Sequence, residues 1–255
     1  MLRRALFALL LAPSLAAATA AAEVTVMTSG GFNTPYQALT PAFERATGHR
    51  LVTVQGASMG AAADAIPNRL ARGERADVVI LAREALDALA AAGHVRPGSR
   101  TDLVESRIGA SVRAGAPRWD ISTEAGLRQA LTEAPSIAYS ASASGEYLSR
   151  ELFARLGMAE LMAQKARRIY SERVGSVVAR GEAALGFQQV SELLPIAGLD
   201  FLGPIPEALQ RVTTFSAGIA TGSTAPEAAA ALIAFLAGPE AHAAIRAAGL
   251  DPARR

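Results

Sequence analysis

With 25 basic and 23 acidic residues among 255 and no cysteine, the chain can form no disulfide, thiol nucleophile or thiolate metal site. Its arginines make no basic run with interleaved aromatics, so nucleic acid is not an expected partner. The small positive excess sits in Arg3 and Arg4; without residues 1–22 the chain carries 23 charges of each sign.

Residues 1–22 read as a secretory signal. Arg3 and Arg4 precede an apolar stretch over 5–11, and Ala20-Ala21-Ala22 offers small residues for cleavage before Glu23. That stretch is too short, and Pro13 interrupts it, to span a membrane. The mature chain is therefore expected in the periplasm, as a monomer with no membrane insertion.

Beyond the signal, residues 23–28 alternate polar and β-branched side chains and predict a first strand. Residues 35–47 predict a helix closed by Gly48, 51–54 a strand, and 61–72 a helix ended by Gly73. Residues 77–81 predict a short strand that is wholly apolar after Asp77, as in a parallel strand buried on both faces. A helix over 83–92 stops at Gly93. The second half repeats the rhythm, with strands at 107–112, 136–139, 184–190, 201–203 and 212–220. Helices are expected at 122–132, 149–156, 174–179, 191–194, 226–237 and 240–248, the last stopped by Gly249. Such alternation predicts an α/β protein of mostly parallel sheets wrapped by helices. The units form two lobes, 23–105 completed by 213–255 and 106–212, with a ligand cleft between them beyond the strand ends.

Loops rich in serine and glycine fall at those strand ends. Ser144-Gly145 reads as a helix start after the strand at 136–139. Similar loops occur at 28–32, 55–60 and 173–176, each before a helical pattern. Free N–H groups at helix starts, together with serine hydroxyls, favour a small anion. Metal and nucleophile motifs are missing: His49, His94 and His242 are scattered, and no Gly-x-Ser-x-Gly elbow is present.

The segments Val24-Thr-Val-Met-Thr-Ser-Gly-Gly, Asp77-Val-Val-Ile, Ala143-Ser-Gly-Glu-Tyr and Val177-Val-Ala-Arg-Gly-Glu-Ala-Ala-Leu-Gly-Phe resemble periplasmic molybdate-type binding proteins, as does the closing Gly249-Leu-Asp-Pro. The resemblance implies the type II two-lobed periplasmic binding-protein fold and an ABC permease as a possible partner. A narrower likeness is to bacterial aconitate isomerases. It rests on Ala65-Ile-Pro-Asn-Arg-Leu-Ala-Arg-Gly-Glu74, Ala138-Tyr-Ser, Ser142-Ala-Ser-Gly, Tyr147-Leu-Ser and Gly186-Phe-Gln-Gln-Val-Ser-Glu-Leu193.

Carried over by position, the molybdate pattern places a hydroxyl at Ser58 and backbone N–H donors at Ser144 and Val174. Its first-loop serine falls on Gly31 and its late-strand tyrosine on Gln189. Glycine at 31 is expected to enlarge the cleft, and an amide at 189 suits carboxylates. These departures favour a larger organic acid over molybdate. The expected binding set is Ser29, Gly30, Gly31, Ser58, Met59, Arg69, Ser142, Ser144, Gly145, Tyr147, Val174, Gln188 and Gln189. Isomerising aconitate moves a proton along an allylic system and needs a base, but no metal or cofactor. Tyr139 and Arg69 are the catalytic candidates, with Tyr147, Glu146 and Asp64 as other ionisable groups near the loops. Arg173 is a second candidate cation. Aconitate isomerases often carry an aspartate where this chain has Ala141.

Overall fold

The computed structural model describes residues 21–254, so the signal reading lies almost wholly outside the described residues. In chain order come β1 (Glu23–Thr28), α1 (Gly30–Thr47), β2 (Arg50–Gln55), α2 (Ile66–Ala71), β3 (Val78–Ala82), α3 (Arg83–Ala91) and β4 (Thr101–Ser106). Then follow β5 (Ile108–Arg113), α4 (Glu124–Glu133), β6 (Ile137–Ser140) and α5 (Ala143–Tyr147). A π turn (Leu148–Leu152) joins α5 to α6 (Phe153–Arg155), and α7 (Ala159–Lys165) and β7 (Ala166–Ile169) come next. The chain continues with α8 (Val174–Ala179), β8 (Leu185–Gln189), α9 (Val190–Leu193) and β9 (Leu199–Pro204). It closes with β10 (Thr213–Ile219), α10 (Pro226–Ala237), α11 (His242–Ala247) and β11 (Asp251–Pro252).

Two mixed sheets result, one per lobe. The first has the order β11-β4-β10-β3-β1-β2. Its β2, β1 and β3 run parallel, as β–α units require, while β10, β4 and β11 join antiparallel. The second, β7-β6-β8-β5-β9, is parallel from β7 to β8 and antiparallel through β5 and β9. The chain passes between sheets twice: across Arg107, the single residue between β4 and β5, and through 205–212 between β9 and β10.

Strand alternation explains the cores. Val24 and Val26 of β1, with Val78 and Ile80 of β3, face Phe32, Tyr36 and Phe43 of α1 and the apolar face of α10. Met27, Val79 and Leu81 point the other way, onto Ile66 and Leu70 of α2 and Leu86 and Leu89 of α3. In the second lobe Ile108, Ala110 and Val112 pack on α4 and α5, and Ala138 packs under α8. Burying aliphatic side chains on both faces of each sheet supplies most of the driving force.

Several elements depart from expectation, each for a local reason. Helix α1 starts at Gly30, not 35, and Pro35 lies inside it. Proline has no N–H for the Gly31 carbonyl four residues back. That oxygen accepts the Ser191 hydroxyl instead, at 2.8 Å, from the other lobe. Helix α2 starts only at Ile66, because residues 61–64 form turns and the Ala65 N–H bonds the Ala62 carbonyl. The cap of α5 is the extended residue Ser142, ahead of the expected Ser144-Gly145. Gly145 instead lets the helix lie against the Ser140 carbonyl, where a Cβ would overlap it. His49, which follows the helix-closing Gly48, is buried and accepts the Ala22 N–H through Nδ1 at 3.1 Å. Strands β4, β7 and β11 and helix α7 add to the expected set.

Candidate functional site

A cleft of about 150 Å³ opens where the loops after β1, β2, β6 and β7 meet β8 and α9. Of the residues singled out in the sequence, Ser29, Gly30, Gly31, Ser58, Ser142, Ser144, Gln188 and Gln189 line it. Arg173, Glu192, Asp64, Glu172 and Phe215 are among the other residues of its wall.

Serines face each other across this space. Ser29, the cap of α1, and Ser144, in the first turn of α5, are each 2% exposed, and neither hydroxyl has a partner. Buried hydroxyls without partners are rare and costly, so the pair is poised for a ligand with acceptor oxygens. The first-turn N–H groups of α1, at Gly30 and Gly31, have no acceptor within their own helix. Ser58 has a double duty. Its oxygen accepts the Ala82 N–H at 3.0 Å, and its own N–H donates to Ser142 Oγ of the other lobe at 3.2 Å.

Charge enters from the second lobe. Arg173 caps α8, and its side chain forms neither a hydrogen bond nor an ion pair among the described residues, although its charge reaches Glu192. Glu192 of α9 lines the cleft, half-buried, and Gln188 Nε2 donates to its Oε1 at 2.8 Å. Burial pushes its carboxyl up to about 7, and Arg173 and the Gln188 amide only partly offset this. Gly30 makes room for that carboxylate; a Cβ there would overlap Oε1. Gln188 also accepts the Val174 N–H at 2.9 Å, so this backbone donor is already engaged.

Other singled-out residues stand elsewhere. Arg69 turns away from the cleft, donating to the Asp64 carbonyl at 3.1 Å and pairing with Glu74 at 2.7 Å. Tyr139 packs edge-on against Phe153 and under the Arg168 guanidinium. Arg168 in turn pairs with Glu146 at 2.6 Å. Tyr147 is buried, with its hydroxyl on the Leu209 carbonyl at 2.7 Å and Arg211 over its ring. Met59 packs among the first-lobe core residues. Gly31 leaves no extra space, because the Phe215 ring lies where a Cβ would be. Gln189 spends both ends of its amide on the crossing segments. Oε1 accepts Ser106 Oγ at 2.7 Å, and Nε2 donates to Thr213 Oγ1 at 3.1 Å.

The lobes touch at the cleft rim and beside it. Ser171 Oγ donates to Asp64 Oδ1 at 3.0 Å, and Thr34 Oγ1 donates to the Ser191 carbonyl at 3.1 Å. Ser171, with φ of 57°, holds a backbone conformation unusual for a side-chain-bearing residue. Sequence reasoning passed over Glu192. The signal was available: it is the glutamate of the 186–193 tract, three residues after Gln189.

Three comparisons bear on this arrangement. Residues 24–251 match the model of a family described as bacterial extracellular solute-binding protein. A protein named aconitate isomerase, from a Pseudomonas species, is 49% identical over 249 residues, covering 97% of this chain and 95% of that one. Among solved structures, the periplasmic molybdate-binding protein of Azotobacter vinelandii superposes with a TM-score of 0.72 at 22% identity, over 91% of this chain and 100% of that one. A sulfate-binding protein from Mycobacterium tuberculosis gives 0.70 at 18% identity, over 91% and 87%. At those identities the two structures speak for the two-lobed fold alone.

Proposed function

We propose a function from one premise: the chain belongs to the bacterial extracellular solute-binding protein family. On our reading it binds a small polycarboxylate in the cleft and interconverts trans- and cis-aconitate, as an aconitate isomerase. The observation that carries this is its identity with the Pseudomonas protein of that name, which extends over nearly the full length of both chains.

The chemistry of the cleft supports the reading. The free hydroxyls of Ser29 and Ser144 and the first-turn N–H groups of α1 suit carboxylate oxygens, and Arg173 supplies a cation. A proton shift within one molecule leaves its oxidation state unchanged, so the side chains need only bind, orient and move a proton. We also assign residues 1–22 to an export signal, which would deliver a monomer to the periplasm. A second reading, a transport receptor that hands an anion to an ABC permease, is favoured by the solute-binding family itself. Incubating purified protein with trans-aconitate separates the two. Appearance of the cis isomer supports the enzyme; tight binding with an unchanged isomer after hours at high protein concentration supports the receptor.

A further inference from the structure

We infer that the Glu192 carboxylate carries the proton in this isomerisation, removing it from the methylene carbon of bound aconitate and returning it at the far allylic carbon. The inference rests on the isomerase reading above.

Three carboxylates line the cleft: Asp64, Glu172 and Glu192. Asp64 is held at the rim by the Ser171 hydroxyl, and Glu172 is exposed and paired with Arg180 at 3.0 Å. Glu192 instead packs half-buried against the Gly30 backbone, and it makes no ion pair within 4 Å among the described residues. The Gln188 amide fixes one of its oxygens, and the other accepts no hydrogen bond from the described residues. Gly30 provides the space for this carboxylate, and Gly30 borders the loop that holds the free Ser29 hydroxyl. The base thus lies beside a ligand-facing donor.

The step balances with one group. Glu192 accepts a methylene proton, and the C–H electron pair becomes the new C=C bond. The former π pair moves to the opposite allylic carbon, which takes the proton back from the same carboxyl group. The conformation in which the cleft holds the former methylene arm decides whether the new double bond is cis or trans. Negative charge that develops on the flanking carboxylates falls to Arg173 and the cleft hydroxyls. Near neutral pH a large share of Glu192 is ionised and ready to accept a proton, and once protonated it is acid enough to return it. Arg173 is the charged group that faces it. Helix α1, against which α9 packs, presents Gly30, Gly31, Asn33 and Thr34, none of them ionisable.

The test compares wild type, Glu192→Gln and Glu192→Asp with trans-aconitate, following turnover by proton NMR and binding by calorimetry. Glu192→Gln keeps the Gln188 contact and should bind aconitate at least as tightly as wild type, because a like charge is gone. Its kcat should fall by about 10²–10⁴-fold. Wild-type kcat/KM should rise with pH to a plateau through about 7, and any residual Gln activity should lose that rise. Glu192→Asp, with the carboxylate drawn back by one methylene, should bind normally, turn over more slowly than wild type and keep the pH dependence. It decides the matter if the Gln variant does not fold, since a wild-type rate in Asp would then overturn the inference. A Gln variant within tenfold of wild-type kcat overturns the role of Glu192 and leaves the isomerase reading standing. A wild type that binds aconitate without turnover overturns both.

Discussion

Gln189→Leu separates a ligand contact from a brace between the lobes. In the structure the Gln189 amide ties Ser106, the last residue of β4, to Thr213, the first of β10. These are the two places where the chain crosses between the first sheet and the second lobe. Leucine keeps roughly the side-chain volume, so the cavity cost is small. What it removes is the partner of two buried hydroxyls, at 0% and 8% exposure. Each hydroxyl left unpaired costs about 1–3 kcal/mol, so the variant should lose roughly 2–6 kcal/mol of unfolding free energy. That is a large share of the 5–15 kcal/mol typical of a folded domain. Urea denaturation of ligand-free protein measures it. The control is Ser106→Ala combined with Gln189→Leu: with both partners apolar, the pair should cost distinctly less than the two single losses added. Affinity of the folded variant for aconitate should stay within about threefold, which by the usual conversion is under 1 kcal/mol. A stability loss below about 0.5 kcal/mol, or a loss of affinity with stability intact, would refute the brace.

Three other outcomes follow from the same contacts. Ser58→Ala should lower both stability and affinity, by about 1–3 kcal/mol for the Ala82 N–H left without its acceptor; a melting temperature equal to wild type would show that this bond contributes nothing. Gly31→Ser restores the hydroxyl of the molybdate pattern but drives a Cβ into the Phe215 ring, so it should destabilise by about 1–3 kcal/mol in thermal melts; unchanged melting would mean that the ring moves freely aside. Glu192 makes stability fall with pH. Its folded pKa lies above its ordinary 4.5, so the native state holds an extra proton between about 4.5 and 7, and that stability is lost as pH rises through 7. The loss is bounded at roughly 3 kcal/mol, because the residue borders the open cleft. Relative to wild type, Glu192→Gln should therefore gain stability from pH 5 to pH 8, and parallel pH curves for the two proteins would contradict this.

How much was legible depended on how local each cause is. Strand β3 announced itself through five successive apolar residues, and α10 through a proline start and an unbroken apolar run; both depend on nearest neighbours. The start of α1 was misplaced because Pro35 looks like a first-turn residue. What permits it further inside is the Ser191 hydroxyl, 160 positions away, on the orphaned Gly31 carbonyl. Strand β4 was hidden because Asp102 and Glu105 break the apolar pattern, and its antiparallel pairing with β10 and β11 defines it. The serines of the cleft were readable as anion-loop chemistry. Their burial without partners was not, nor was the setting of Glu192, which depends on Gly30, Gln188 and Arg173 arriving from three separate elements. Arg69 looked available for a ligand because Glu74, five residues on, reads as another surface charge until α2 ends and brings it back.

The most direct test of the account is the approach to equilibrium from both sides. Purified protein is added to trans-aconitate in one tube and to cis-aconitate in another, in deuterated buffer, and proton NMR follows both. The account predicts convergence on a single isomer ratio, with loss of signal at the allylic positions wherever the removed proton exchanges with solvent before it returns. Two mixtures that keep their starting isomers, while calorimetry shows both ligands bound, would contradict it and leave a receptor.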